Sequence, residues 1–326
     1  MRLVAAAGIL GTVLLQACSG GSPRGEFTFA APVPTPTPMA GDEAPTTAWT
    51  GLDSLTVSGG SAGCGVAQTG SDLIDSVESP ETDRSYRIHL PTGYNPNRPA
   101  PLVMNFHGSS KTALEQETYS GLGPVADRQG FILVSPEGSG WPQGWEVVGV
   151  YADSGTDDLV VTRQIVEAIE AAFCIDPQRI YATGHSNGAE MASQVGCFLP
   201  DIFAAVAPVS GVVYQGCDGR PMPVISLHGT EDYNVPFETA QPAMAEWASH
   251  NGCSTVEEIV QVTEHVSRES HLGCDGADVV LYVIDGGGHT WPDAEDFSGG
   301  AGPTTHEISA NDLIWEFFAS HPMPRN

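Results

Sequence analysis

From Asp83 onward the chain alternates short, continuously apolar runs with longer segments whose apolar residues return every three to four positions. The segments Tyr86 to Leu90, Pro101 to Phe106, Phe131 to Ser135, Arg179 to Thr183, Ala204 to Pro208, Pro223 to His228 and Val279 to Ile284 read as strands. The clearest helix starts near Asp157, which can cap it, and carries Val161, Ile165, Ala168, Ile169 and Ala172 on one stripe. Further helices are predicted after Ser186, around Pro242 to His250, and at the C-terminus. This last one opens with Ser309 and Asp312 at capping-box spacing and buries Leu313, Ile314, Phe317 and Phe318. Strands that alternate with helices imply an α/β protein with a largely parallel central sheet flanked by helices.

The first 61 residues follow other patterns. Met1-Arg2 is a short positive start, Leu3 to Leu15 an apolar stretch of secretory length, and Leu15-Gln16-Ala17-Cys18 sets a small residue before a cysteine. This resembles a bacterial lipoprotein signal over residues 1–18, with Cys18 as the lipid attachment point; an ordinary cleaved signal peptide is the alternative. Residues 19–61 are rich in Gly, Ser, Thr, Ala and Pro, and Pro32, Pro34, Pro36, Pro38 and Pro45 stiffen them into a tether with polyproline II character. Residues 62–326 are left as the folded domain. The protein is therefore expected to be exported, extracellular or held at the cell surface, and to meet a membrane only through Cys18.

Composition sharpens this picture. The chain has 326 residues, 12 Lys+Arg against 40 Asp+Glu, and a formal charge of −28. A nucleic-acid ligand would be repelled by such a surface. Lys111 is the single lysine. The acidity reads either as a solvated surface that favours solubility or as adaptation to high salt. Of the seven cysteines, Cys18 belongs to the leader; Cys64, Cys174, Cys197, Cys217, Cys253 and Cys274 make an even set in an oxidising setting. Connectivity is not deducible from spacing. Sequence proximity favours Cys253–Cys274 and Cys197–Cys217, which leaves Cys64–Cys174. No CxxC pair or histidine spacing suggests a zinc site.

Gly184-His185-Ser186-Asn187-Gly188 fits the GxSxG nucleophile elbow, directly after an apolar run and before the small-residue segment Ala189 to Ser193. A second match, Gly59-Gly60-Ser61-Ala62-Gly63, has no strand before it and no amphipathic helix after it. The elbow needs a sharp strand-to-helix turn with glycine at both flanks, and only Ser186 meets that need. A serine hydroxyl requires a base oriented by a carboxylate, and in α/β-hydrolases these follow as acid, then histidine. Asp232 follows the strand ending at His228, and His289 follows Gly286-Gly287-Gly288 after the strand ending at Ile284. Both sit at strand C-terminal ends, where the active sites of parallel sheets gather. Glu231 competes with Asp232 for the acid role. The oxyanion donors are expected to be the amides of Asn187 and of Ser109, in the turn Phe106 to Ser110.

These motifs, with Leu227 to Phe237 and above all Gly287-Gly288-His289-Thr290-Trp291-Pro292, resemble the secreted polyhydroxybutyrate depolymerase and feruloyl esterase family of α/β-hydrolases, over about Cys64 to His321. The resemblance implies Ser186 as nucleophile, Asp232 as acid, His289 as base, the amides near Ser109 and Asn187 as oxyanion donors, and no cofactor or metal. One departure is Lys111-Thr112 after the oxyanion turn. His107, Trp291 and Trp145 are candidate pocket residues, Trp291 either stacking on an acyl group or bracing its loop, Trp141 and Trp145 either walling the cleft or anchoring theirs. His185 and His228 are expected to fill turns or line the wall, and Asp157-Asp158 to cap a helix. The implied substrate is an ester, first a feruloyl or acetyl ester of plant cell-wall polysaccharide, second poly(3-hydroxybutyrate) or its oligomers. The absence of a polymer-binding module after the last helix disfavours a solid polyester. An acyltransferase and a non-catalytic surface binding protein are the readings from other classes.

Overall fold

In the computed structural model the sheet is built on strands with no polar face to spare. β3 (Ala100–Phe106), β4 (Ile132–Pro136), β6 (Ala205–Val209) and β7 (Val224–Gly229) are buried at every residue, as expected of strands covered on both sides. The structure describes residues 59–324 except 69, 78–82, 148–157, 255–256, 272, 275 and 296–300, all within one compact unit, Asp53–Asn326. The proposed leader, Cys18 and the tether up to residue 58 lie outside the described residues, as does Asp157.

With β1 (Asp72–Val77), β2 (Arg84–His89), β5 (Ile175–His185), β8 (Glu257–Gln261), β9 (Val266–His271) and β10 (Val279–Ile284), the described strands form one ten-stranded sheet in the order β1-β2-β4-β3-β5-β6-β7-β10-β9-β8. The six strands from β4 to β10 are parallel, and an antiparallel pair flanks them at each edge. The strands expected from the apolar runs are all present. Three others were not expected: β1 is an exposed edge strand, and β8 and β9 form a half-exposed hairpin whose residues carry no continuous apolar run.

Side chains alternate between two cores. Leu102, Met104 and Phe106 of β3 face α3 (Asp158–Ala172), α4 (Asn187–Phe198) and α5 (Ala240–His250), whereas Val103 faces α2 (Leu122–Gln129) and α6 (Ala310–Ser320). On α3 the buried stripe is Val161, Ile165, Val166 and Ile169; on α6 it is Ala310, Ile314, Phe317 and Phe318, with Leu313 half-buried. Phe318 stacks on Tyr181 of β5 at 4.6 Å. The Ser309 hydroxyl accepts from the Asp312 amide, the cap predicted for α6. Two helices not foreseen, α1 (Ala113–Ser120) and α2, follow β3, and α1 opens with a full capping box between Thr112 and Glu115. The cysteines pair as Cys64–Cys174, Cys197–Cys217 and Cys253–Cys274.

Asp158 is the acidic residue in the first turn of α3, where the capping expectation places it, and its carboxylate is also buried. It accepts from Arg84 Nη2 at 2.5 Å and from the Glu146 amide at 2.7 Å, while Arg84 Nη1 donates to the Glu137 carbonyl at 3.0 Å. One buried ion pair thereby joins the start of β2, the start of α3 and both ends of the loop 137–146. Removing one partner of a buried pair leaves the other charge uncompensated. Asp158→Ala is expected to destabilise the fold by about 3–5 kcal/mol, read from the urea midpoint of unfolding.

Candidate active site

The elbow between β5 and α4 turns on a contact between backbones. A Cβ on Gly184 would collide with the Gly188 carbonyl, and one on Gly188 with the Phe106 carbonyl, so strand, helix and the end of β3 close together only with glycine at both positions. Between them Ser186 takes φ +59°, a left-handed conformation costly for a residue with a side chain and held here by the Ser186 amide donating to Val209 at 3.0 Å. The serine stands at the N-cap of α4 and lines a cavity of about 250 Å³.

The same device joins the two loops that carry the candidate acid and base. A Cβ on Gly229 would strike the Gly287 carbonyl, and the Glu231 amide donates to that carbonyl at 2.8 Å. Asp232 and His289 thus meet, with Asp232 Oδ2 2.7 Å from His289 Nδ1. The other carboxylate oxygen accepts from the amides of Asn234 and Val235, each at 2.9 Å. Burial by itself would raise the Asp232 carboxyl, but hydrogen bonds from His228, His289 and the Val235 amide outweigh it and hold the group well below the usual carboxylate range. His228, wholly buried, sets Nε2 2.9 Å from the Val235 carbonyl and 3.3 Å from Asp232 Oδ2. It holds the acid's turn and does not line the cavity. Glu231 exposes its side chain.

His185 packs against His289, ring centroids 4.6 Å apart, and burial, assisted by the neighbouring imidazole, pushes its pKa down to about 3. It is neutral at working pH, so it adds no positive charge beside His289. On the oxyanion side Gly108 and Ser109 line the cavity. Among the described residues neither the Ser109 nor the Asn187 amide donates to a backbone carbonyl, the condition for two free donors beside Ser186.

The aromatic candidates are placed differently from expectation. His107 is fully buried behind the oxyanion turn: the Gly138 amide donates to its Nε2 at 2.8 Å, so Nδ1 carries the proton and donates to the Gly108 carbonyl. Trp145 is core, its indole N–H donating to the His107 carbonyl at 2.7 Å and its ring edge-on to Phe106. Asn187 clamps it, accepting from the Trp145 amide and donating to the Trp145 carbonyl. Trp291 is core as well, its indole N–H donating to Asn311 of α6 and its amide to the Tyr119 hydroxyl. These three residues brace the loops and do not wall the cavity; Trp141 is exposed.

The cavity wall comes instead from α1 and its approach, where Lys111, Glu115, Gln116 and Tyr119 join Asn234 and Ala301. Of the cavity wall the sequence marks Lys111 and His185, which lines the cavity beside His289 as expected, and it includes Asn234 in the Leu227 to Phe237 segment. The Thr112-x-x-Glu115 box, directly after the oxyanion turn, is the signal that announces this wall. Away from the cavity Asp72, His89 and Glu117 gather ligand-type atoms within 4.8 Å of one another, but they are engaged in pairs with one another, Asp127 and Arg87.

A family model described as esterase PHB depolymerase matches residues 84–231. Feruloyl esterase B of Piromyces equi is 32% identical over 237 residues, 65% of this chain but only 44% of that protein. A probable feruloyl esterase C of Aspergillus oryzae is 30% identical over 268 residues, 79% of this chain and 90% of its own length. Among solved structures, an acetyl xylan esterase from Aspergillus awamori superposes with a TM-score of 0.58 at 17% identity, covering 76% of this chain and 99% of that one, a likeness of fold.

Two outcomes check the site. Asp232→Asn is expected to lower kcat on a small ester by about 10³–10⁴ while the protein stays folded, with Glu231→Gln within about twofold of wild type. His185 is held neutral, so as pH falls below about 6.5 the unfolded chain takes up a proton that the native state refuses, and stability drops with pH. His185→Gln should flatten the fall of the urea midpoint between about pH 6.5 and pH 4.

Proposed function

The chain belongs to the α/β-hydrolase family of PHB depolymerases and feruloyl esterases, and on that premise we propose that it is an exported serine carboxylic-ester hydrolase acting on feruloyl or acetyl esters of plant cell-wall polysaccharide. The reading is carried by one observation, the 2.7 Å contact of Asp232 with His289 Nδ1 at a cavity that Ser186 and His289 both line. Ser186 Oγ attacks the ester carbonyl and His289 Nε2 takes its proton, while Asp232 fixes the tautomer and compensates the imidazolium. The amides of Asn187 and Ser109 receive the oxyanion. His289 then returns the proton to the departing alcohol, and water, activated by the same base, frees the acid from Ser186.

Export is supported by the apolar leader Leu3 to Leu15 and by three disulfides. The substrate class is supported by the named activities of the relatives. The name of the matching family model favours a second substrate, hydroxybutyrate oligomers.

A fluorophosphonate probe should label Ser186 in folded protein and leave Ser186→Ala unlabelled. Methyl ferulate, acetylated xylan and hydroxybutyrate oligomers compared in one assay should rank the oligomers last. Absence of labelling sinks the enzyme reading, and preference for the oligomers reverses the substrate order.

A further inference from the structure

Trp141 is 97% exposed and Tyr233 83%, the two most exposed large hydrophobic side chains among the described residues. Single exposed apolar residues are ordinary. These two, however, are displayed on braced turns fastened to segments that line the same cavity. The Trp141 turn is closed by Ser139 and Gly144, which exchange two backbone hydrogen bonds of 2.9 Å, and the Gln143 carbonyl accepts from the Ser110 amide at 2.6 Å. It is thereby fastened to the oxyanion turn. Tyr233 stands between Asp232 and cavity-lining Asn234, in the turn that the Asp232 carboxylate holds through two amides.

The sheet order sets their sides. The Trp141 turn is fastened to the oxyanion turn that follows β3, and Tyr233 follows β7; β5, which ends in Ser186, lies between β3 and β7, so the two turns flank the Ser186 cavity on opposite sides. A glycan chain crossing from one turn to the other passes over the cavity.

We propose that Trp141 and Tyr233 are the two outer stacking positions of a glycan-binding strip that lays a neutral polysaccharide chain across the mouth of the Ser186 cavity. The proposal rests on the polysaccharide-ester reading above and adds how the polymer is held. A pyranose presents a face of C–H groups, and an exposed aromatic ring offers the matching apolar, electron-rich face. Charge selects among glycans: a chain with a formal charge of −28 repels uronate-rich polymers and tolerates neutral ones. A rigid turn also loses little entropy when its ring is covered.

The test compares Trp141→Ala, Tyr233→Ala and Trp141→Phe with wild type on acetylated or feruloylated neutral xylan and on methyl ferulate. The ratio of kcat/KM on polymer to that on the small ester is expected to fall about tenfold in each alanine variant and to recover largely in Trp141→Phe. Affinity electrophoresis in deacylated arabinoxylan, on a Ser186→Ala background, should show retardation that either alanine change removes. An unchanged ratio, with wild type active on xylan esters, overturns the strip and leaves the substrate reading standing. A wild type inactive on xylan esters overturns the substrate reading and the strip with it. Urea midpoints equal to wild type keep a folding defect out of the comparison.

Discussion

The close approach of three backbones at Gly184, Gly188 and Phe106 is the constraint on which the site depends. Two strands and a helix meet where no side chain fits, and that meeting forces the intervening Ser186 to φ +59° and aims it away from the sheet. It also fixes the oxyanion turn, because Phe106 is the last residue of β3 and Gly108 and Ser109 follow it directly. The proposed nucleophile and oxyanion donors are therefore positioned by one contact, made of backbone atoms with no rotamers to sample. A second contact of the same kind, Gly229 on Gly287, does this for the proposed acid and base. Preorganisation in the electrostatic sense begins as steric exclusion of Cβ atoms.

Around these contacts, aromatic and polar side chains serve as bolts. His107, Trp145 and Asn187 form a buried set whose polar contacts run chiefly to backbone atoms of neighbouring turns, His107 to Gly108 and Gly138, Trp145 to His107 and Asn187 to Trp145, with Asn187 also donating to the Glu190 carboxylate. Such a set is stable only when its polar atoms are satisfied, which rigidifies the loop it crosses. The loop 137–147 is thus held from both sides: Trp145 on Asn187 beneath it, and Glu137 and Glu146 on the Arg84–Asp158 pair. Trp291 does the corresponding work under His289, tied to α1 through Tyr119 and to α6 through Asn311.

The parts of this design that were legible in the sequence are those written locally. Strands covered on both faces announce themselves as apolar runs, the elbow as two glycines around a serine, and the paired Asp232 and His289 as residues just past strand ends. What was not legible depends on partners distant in sequence. Trp145 and Trp291 look alike as pocket candidates because a tryptophan near a catalytic motif is compatible with lining or bracing, and the choice is made by His107 and Asn311. β1, β8 and β9 escaped because the strands at and next to the ends of the sheet are partly solvated and carry polar side chains on both faces. α1 is mostly polar and has only a weak apolar stripe, so periodicity misses it, although the Thr112–Glu115 box was there to be read.

The acidity bears on stability as well as on partners. With 40 acidic side chains against 12 Lys and Arg, most carboxylates have no cation to face, and self-repulsion opposes the compact state. Surface ion pairs contribute little even where they form. The offset comes from terms insensitive to surface charge, namely the two cores on either side of the sheet and the three disulfides. Cys64–Cys174 closes a loop of 110 residues, for which the chain-entropy treatment gives about 4–5 kcal/mol by restricting the unfolded state. The bond also ties the start of the described chain to the junction of α3 and β5, the strand that ends in Ser186. A cross-link acting on the unfolded ensemble and a site built from backbone contacts share one property: neither relies on attraction between surface charges, so a strongly acidic surface coexists with a fixed catalytic geometry.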